Sequence, residues 1–225
     1  MELIYWSGLG LKDLEVLNCK TCYRTNMSQL NSFERWWLEA LPHRFKIQRF
    51  VPKFLRASPD PFRGEVLEIG SGAGWTSRCI LETFPQVELT ASDADDRSRR
   101  KFKQMRKIYG QRLRFKQADL LELPFDRATF DIVIVINVFQ YLDDLQGAVR
   151  QILRVLRPGG LIGVGYTGKA KGMNIWSRFL FSPGLSRLEL KKLLQDEGCE
   201  VVCSKGWAQY YIWARKPYPL EVPEE

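Results

Sequence analysis

The chain has 225 residues, 45% of them hydrophobic and 27% charged, with a formal net charge of +8. That length and balance suit one large globular domain, or one domain with a small extension, that needs no disulfide or metal staples to hold its core. No apolar run nears the roughly 20 residues of a membrane span, and the opening MELIYWSGLGLKDLE lacks the basic flank and long apolar stretch of a secretory signal, so a cytoplasmic location is expected.

Residues 1–60 read as a helical extension or lid. Aromatic residues recur there on helix-like spacing (Phe33, Trp36, Trp37, then Phe45, Phe50, Phe54). Pro42 separates a first helix from a second over about 43–56, and Ser58-Pro59-Asp60-Pro61 breaks the chain before a core domain over 61–217 and a tail over 218–225. Cys19 and Cys22 have metal-ligand spacing, but a structural zinc site needs four ligands, so two reduced thiols and no metal are expected.

After Pro61 strands and helices alternate: strands at Val66–Ile69, Val87–Ala91, Leu113–Lys116, Phe130–Ile136 and Leu161–Tyr166, with helices over about 74–84, 95–109 and 143–156 between them. FDIVIVI is almost wholly β-branched and apolar, the pattern of a strand covered on both faces. A loop-rich stretch 167–185 and a helix 186–196 lead to strands 200–204 and 209–215, whose short link allows only an antiparallel hairpin. The expectation is an α/β, Rossmann-like doubly wound sheet of seven strands, mostly parallel with an antiparallel last strand. The third helix and its flanks carry ten Lys/Arg and no Asp/Glu between Arg97 and Lys116. Such a face suits an anionic membrane surface or nucleic acid, and equally a solvated helix.

The stretch EVLEIGSGAGW puts Gly70, Gly72 and Gly74 at the end of the first core strand. In a doubly wound sheet that end faces the ligand crevice, and glycine lets a ligand approach the backbone. Trp75 stands where a dinucleotide fingerprint needs a small residue, and no Gly-Lys-Ser/Thr of a P-loop follows. Asp93, just past the second strand, can accept from both hydroxyls of a ribose, and Asp119, just past the third, from the amine of an adenine. The ligand reads as an adenosine without a demanding phosphate site. A structural cap for Glu68 and a helix N-cap for Asp119 are the competing readings.

VLEIGSGAG, LTASDAD, KQADLLELPFDRATFDIVIVINVFQYLDD and ILRVLRPGGLIGVGY, in this order over about 62–166, resemble the class I S-adenosylmethionine-dependent methyltransferases. The likeness is strongest to the ubiquinone/menaquinone-biosynthesis, type 11 branch. It implies S-adenosylmethionine as cofactor. Gly70, Ser71 and Gly72 then approach its methionine part, with Gly74 closing the turn and Glu68 serving the turn and the ammonium end. Asp93 takes the ribose hydroxyls and Ala94 lies beside the adenine. Asp119 takes the adenine amine and the Leu120 N–H a ring nitrogen. Asn137 and Val138 line the cofactor near its sulfonium.

The implied reaction is methyl transfer to a small-molecule acceptor. Its alternatives are lipid head groups or quinones at a membrane surface, RNA, and a non-catalytic cofactor-binding subunit. Where the family often has a histidine pair this chain reads Phe139-Gln140-Tyr141, so no histidine base stands there. Tyr141 and His43, the one histidine, are the candidate catalytic groups. Trp36, Tyr166, Trp176 and Trp207 are candidates for contact with an apolar or cationic acceptor.

Overall fold

The structure is a computed structural model that describes residues 41–166, 186–206 and 210–218, with side chains from residue 49 onward. Trp36, Trp176, Trp207, Cys19, Cys22, the stretch 167–185 and the side chain of His43 lie outside the described residues.

Helix α1 (Leu41–Arg56) precedes strand β1 (Gly64–Ile69), and then follow α2 (Trp75–Thr83), β2 (Val87–Asp93), α3 (Ser98–Tyr109), β3 (Leu113–Gln117) and β4 (Phe130–Ile136). Helix α4 (Leu145–Val155), β5 (Leu156–Tyr166), α5 (Arg187–Asp196), β6 (Glu200–Gly206) and β7 (Tyr210–Arg215) complete the order. The seven strands form one sheet in the order β3-β2-β1-β4-β5-β7-β6. The first five are parallel, and β7 runs antiparallel between β5 and β6.

Period-two alternation explains why FDIVIVI is apolar throughout. Ile132 and Ile134 enter the core on one face of the sheet, and Val133 and Val135 the core on the other. One core lies with α4 and α5, through Ala148, Ile152, Leu190 and Leu194. The other lies with α1, α2 and α3, through Phe54, Ile80 and Phe102.

Three element ends differ from expectation. Pro42 lies inside α1, which is described from Leu41, rather than before it. Helix α3 starts at Ser98 because Asp95 folds an Asx turn, its carboxylate accepting from the Arg97 N–H at 3.0 Å. The stretch Arg157–Gly160 belongs to β5, since Gly159 and Gly160 exchange backbone hydrogen bonds with Lys216, each 2.9 Å.

The C-terminal part of the N-terminal segment is a packed layer of the core. Phe50, Val51, Phe54 and Leu55 lie on one face of α1 and are buried. The Phe54 ring stacks on Trp213 of β7 with centroids 4.8 Å apart, and the indole N–H donates to the Phe54 carbonyl at 3.1 Å, capping an end-of-helix acceptor. Gly163 of β5 is glycine for the same packing, because a Cβ there would lie 2.5 Å from the Trp213 ring. Arg215 then pairs with both carboxylate oxygens of Asp60, at 2.8 and 3.1 Å. Phe54→Ala should lower stability by about 3–5 kcal/mol. Urea denaturation measures it, and a loss below about 1 kcal/mol would show that α1 is dispensable to the core.

Candidate functional site

Strands β1 and β4 are neighbours in the sheet although β2 and β3 lie between them in sequence. The chain leaves β1 toward one edge and returns on its other side, which opens a crevice at the carboxyl ends of these strands. The predicted site residues follow those ends: the glycine turn after β1, Asp93 at the end of β2, Asp119 two residues beyond β3, and Asn137 directly after β4.

The turn is built by a short set of hydrogen bonds. The Ser71 N–H donates to the Ser92 carbonyl at 2.9 Å, and the Gly74 N–H to the Ser71 carbonyl at 2.8 Å. Gly72 has φ +47, and a Cβ added there would meet nothing within 4 Å. The turn thus presents bare backbone toward open space. Gly74 is the N-cap of α2 with φ +78, and a Cβ there would lie 2.8 Å from the Met105 sulfur, so close packing of α2 against α3 also requires glycine. The Ser71 hydroxyl oxygen is buried without a hydrogen-bond partner, an orphan acceptor and donor beside that open space.

Asp93 is 7% exposed and binds the turn to the next loop. One carboxylate oxygen accepts from the Gly72 N–H at 2.6 Å and the other from the Asp95 N–H at 2.8 Å. These two bonds fix the orientation of the carboxylate at the strand end. Ala94 is held by Gln117, whose side-chain amide donates to the Ala94 carbonyl at 3.1 Å. Asp119 is exposed and caps a turn, accepting from the Leu121 N–H at 2.9 Å, while Leu120 beside it is buried. No helix follows Asp119, which removes the N-cap reading.

Glu68 faces α2 from the middle of the sheet and is 3% exposed. Burial pushes its carboxyl up to about 8; the Ser77 hydroxyl, which donates to it, opposes that, the nearby Asp93 charge adds to it, and Thr76 opposes it in turn. The Glu68 carbonyl also accepts from the Ser92 hydroxyl at 3.1 Å. Ser77, Ser92 and Gln117 were not singled out in the sequence. Only the two serines carried a signal, as polar residues at inward positions of α2 and β2.

Asn137 adopts φ +55, an unusual conformation for a residue with a side chain, and its N–H donates to the Gly165 carbonyl at 2.9 Å. Val138 is 2% exposed and packs in the core beside this strand end. Tyr141 ends a short 3-10 turn, Phe139–Tyr141, and is half-buried. Tyr166 is 1% exposed, its ring 5.0 Å from that of Tyr210 across β5 and β7, so it packs within the core at this end of the sheet. The structure thus ties Ser71, Gly72, Gly74 and Asp93 together by hydrogen bonds, with Glu68 joined through Ser92, Gly70 and Ala94 adjacent in the chain, and Asp119, Leu120, Asn137 and Val138 at neighbouring strand ends. Among the described residues no helix is long and apolar enough to cross a membrane, and no group of three or more His, Cys, Asp or Glu could hold a metal ion.

Residues 67–164 match the family described as Methyltransferase domain. The chain is 29% identical over 114 residues to a ubiquinone/menaquinone biosynthesis C-methyltransferase of Desulfotalea psychrophila, covering 50% of this chain and 44% of that protein. It is 30% identical over 102 residues to a sterol 24-C-methyltransferase of Gibberella zeae, covering 44% of this chain and 27% of that one. The chain thus spans less than half the length of these curated relatives. A S-adenosylmethionine-dependent methyltransferase structure from Aquifex aeolicus shares the fold, with TM-score 0.65 and 14% identity over 83% of this chain and 99% of that one. The bare backbone at Gly72, the orphan Ser71 hydroxyl and the oriented Asp93 carboxylate fit an adenosine-bearing cofactor with a short polar tail. On sheet order, site geometry and sequence match together, residues 67–164 form a methyltransferase domain of the class I, S-adenosylmethionine-dependent kind, similar to the ubiquinone/menaquinone-biosynthesis branch, and S-adenosylmethionine is the cofactor this implies.

Proposed function

We propose that the protein transfers a methyl group from S-adenosylmethionine to a small-molecule acceptor by in-line displacement. The observation that carries this reading is the bond between the Gly72 N–H and Asp93 at the switch point, with open space where a Gly72 side chain would stand. Gly70, Ser71 and Gly72 hold the methionine part, with the Ser71 hydroxyl finding there the partner it lacks. Asp93 holds the ribose hydroxyls, Ala94 flanks the adenine, and Asp119 with the Leu120 N–H reads the adenine edge. Asn137 and Val138 border the sulfonium end.

Bound S-adenosylmethionine supplies a methyl group already activated by positive sulfur. The protein's contribution is then alignment of the acceptor and exclusion of water, which can supply a large share of the rate without a metal or a covalent intermediate. Tyr141, at the end of the turn that follows Val138, is the proposed orienting group for the acceptor. His43 is the alternative proton acceptor, and Trp36, Trp176 and Trp207 are proposed acceptor contacts, whereas Tyr166 packs in the core and is not one. The quinone pathway in the name of the D. psychrophila relative makes an apolar acceptor the second reading.

Asp93→Ala tests the cofactor half. Losing a charged acceptor for two hydroxyls should weaken S-adenosylmethionine binding at least about 10-fold in equilibrium titration. Transfer of labelled methyl to a component of fractionated cell extract tests the reaction, and the wild type should label a low-molecular-mass fraction that Asp93→Ala does not. Full affinity in folded Asp93→Ala would overturn the assignment.

A further inference from the structure

The basic stretch Arg97–Lys116 resolves into two groups. Some of its charges are used internally. Arg97 pairs with Asp95 at 2.9 Å and Arg99 with Asp96 at 2.5 Å. Arg112 donates to the carbonyls of Leu81, Phe84 and Pro85, closing the end of α2. Arg114 pairs with Glu88 at 2.7 Å and Glu65 at 3.3 Å. Arg100, Lys103, Arg106 and Lys107 are exposed and form no ion pair or side-chain hydrogen bond among the described residues.

These four share one side of α3. At 100° per residue they fall within an arc of roughly 120°, at axial steps of about 4.5, 4.5 and 1.5 Å along about 10 Å of helix. The opposite side is spent on the sheet: Phe102 is 2% exposed and stacks on Phe115 of β3 at 4.8 Å, with Met105 and Tyr109 beside it. A bilayer would need an apolar face on this helix to bury, and α3 has none free beyond Ile108, which lies off the stripe. A single row of uncompensated cations instead matches a chain of phosphates, which recur every 3.4 Å in a stacked strand and farther apart in an extended one.

We propose that the Arg100–Lys107 face of α3 docks the phosphate backbone of a single-stranded nucleic acid. Among the described residues no exposed aromatic platform accompanies the four cations on this face, so docking is by charge alone and does not read sequence. Helix α3 packs on β3, three strands from β4 in the sheet, so the stripe stands roughly 14 Å to the side of the β4 end that carries Asn137. The docking surface is therefore separate from the acceptor position and stands independently of the methyl-transfer reading.

The test is fluorescence anisotropy of the full chain with a mixed-sequence 20-nucleotide RNA at 50 and 200 mM salt. Four phosphate contacts give a slope of about −2.8 in log affinity against log salt, an affinity loss of about 50-fold over that range. The quadruple variant Arg100→Gln, Lys103→Gln, Arg106→Gln, Lys107→Gln should bind at least about 10-fold more weakly at 50 mM and lose most of the slope. S-adenosylmethionine titration reports whether the variant keeps its fold and should be unchanged. RNA binding equal in affinity and slope in wild type and variant would overturn the proposal. So would the absence of RNA binding at 50 mM, or vesicles with 30% phosphatidylserine binding through these four residues while RNA does not.

Discussion

Gly72→Val should abolish measurable S-adenosylmethionine binding while the protein still folds. Gly72 sits at φ +47 with nothing within 4 Å of its would-be Cβ. A β-branched side chain there strains the backbone by about 1–3 kcal/mol and fills the space the turn presents. It also disturbs the N–H that orients Asp93, so the damage reaches the proposed ribose contact. A loss of at least about 100-fold in affinity, near 2.7 kcal/mol, is expected by isothermal titration. The accompanying fall in stability should be no larger than the strain, because the added atoms meet open space rather than the core. Affinity within a few-fold of wild type in a folded variant would mean that the cofactor does not approach this turn.

The second large effect concerns Glu68. Its carboxyl stands near 8 in the folded chain against an ordinary value of 4.5, so the folded state holds one more proton than the unfolded state between those two pH values. The contribution of the neutral carboxyl to stability is full below about pH 4.5. It falls as pH rises and is gone above about 8, a total change of roughly 4–5 kcal/mol. Glu68→Gln keeps the shape and the acceptor for Ser77 but never ionises. Its cofactor-free form should match wild type near pH 5 and be more stable by several kcal/mol at pH 8.5, read from urea midpoints at several pH values. Parallel pH profiles for the two proteins would refute it. In the proposed role at the ammonium end, Glu68 faces a cation, and binding S-adenosylmethionine at pH 7 should release a proton in the wild type and none in Glu68→Gln. Titration in two buffers of different ionisation enthalpy reads that proton.

Much of the fold was legible in local pattern. FDIVIVI could only be a strand with both faces covered, and the short link between the last two strands could only join an antiparallel pair. The glycine spacing, Asp93 and Asp119 pointed to the strand ends where a doubly wound sheet opens its crevice. The role of α1 was less legible. Its aromatic spacing showed that one face is buried but not that Trp213, more than 150 residues away, is the surface it meets.

The residues that tune the site depend on the same kind of distant contact. Nothing in the order of amino acids says that Ser77 reaches Glu68, that Gln117 holds Ala94, or that Arg100, Lys103, Arg106 and Lys107 form no ion pair among the described residues while Arg97, Arg99 and Arg114 do. Periodicity and backbone preference within single elements made the strands, the helices and the glycine turn legible beforehand, and the resemblance carried by the motifs implied the class of ligand. Burial and pairing were decided only in the tertiary structure. They set the protonation of Glu68, the orientation of Asp93 and which charges of α3 face solvent uncompensated, because each depends on groups from elements that meet only when the sheet is wound.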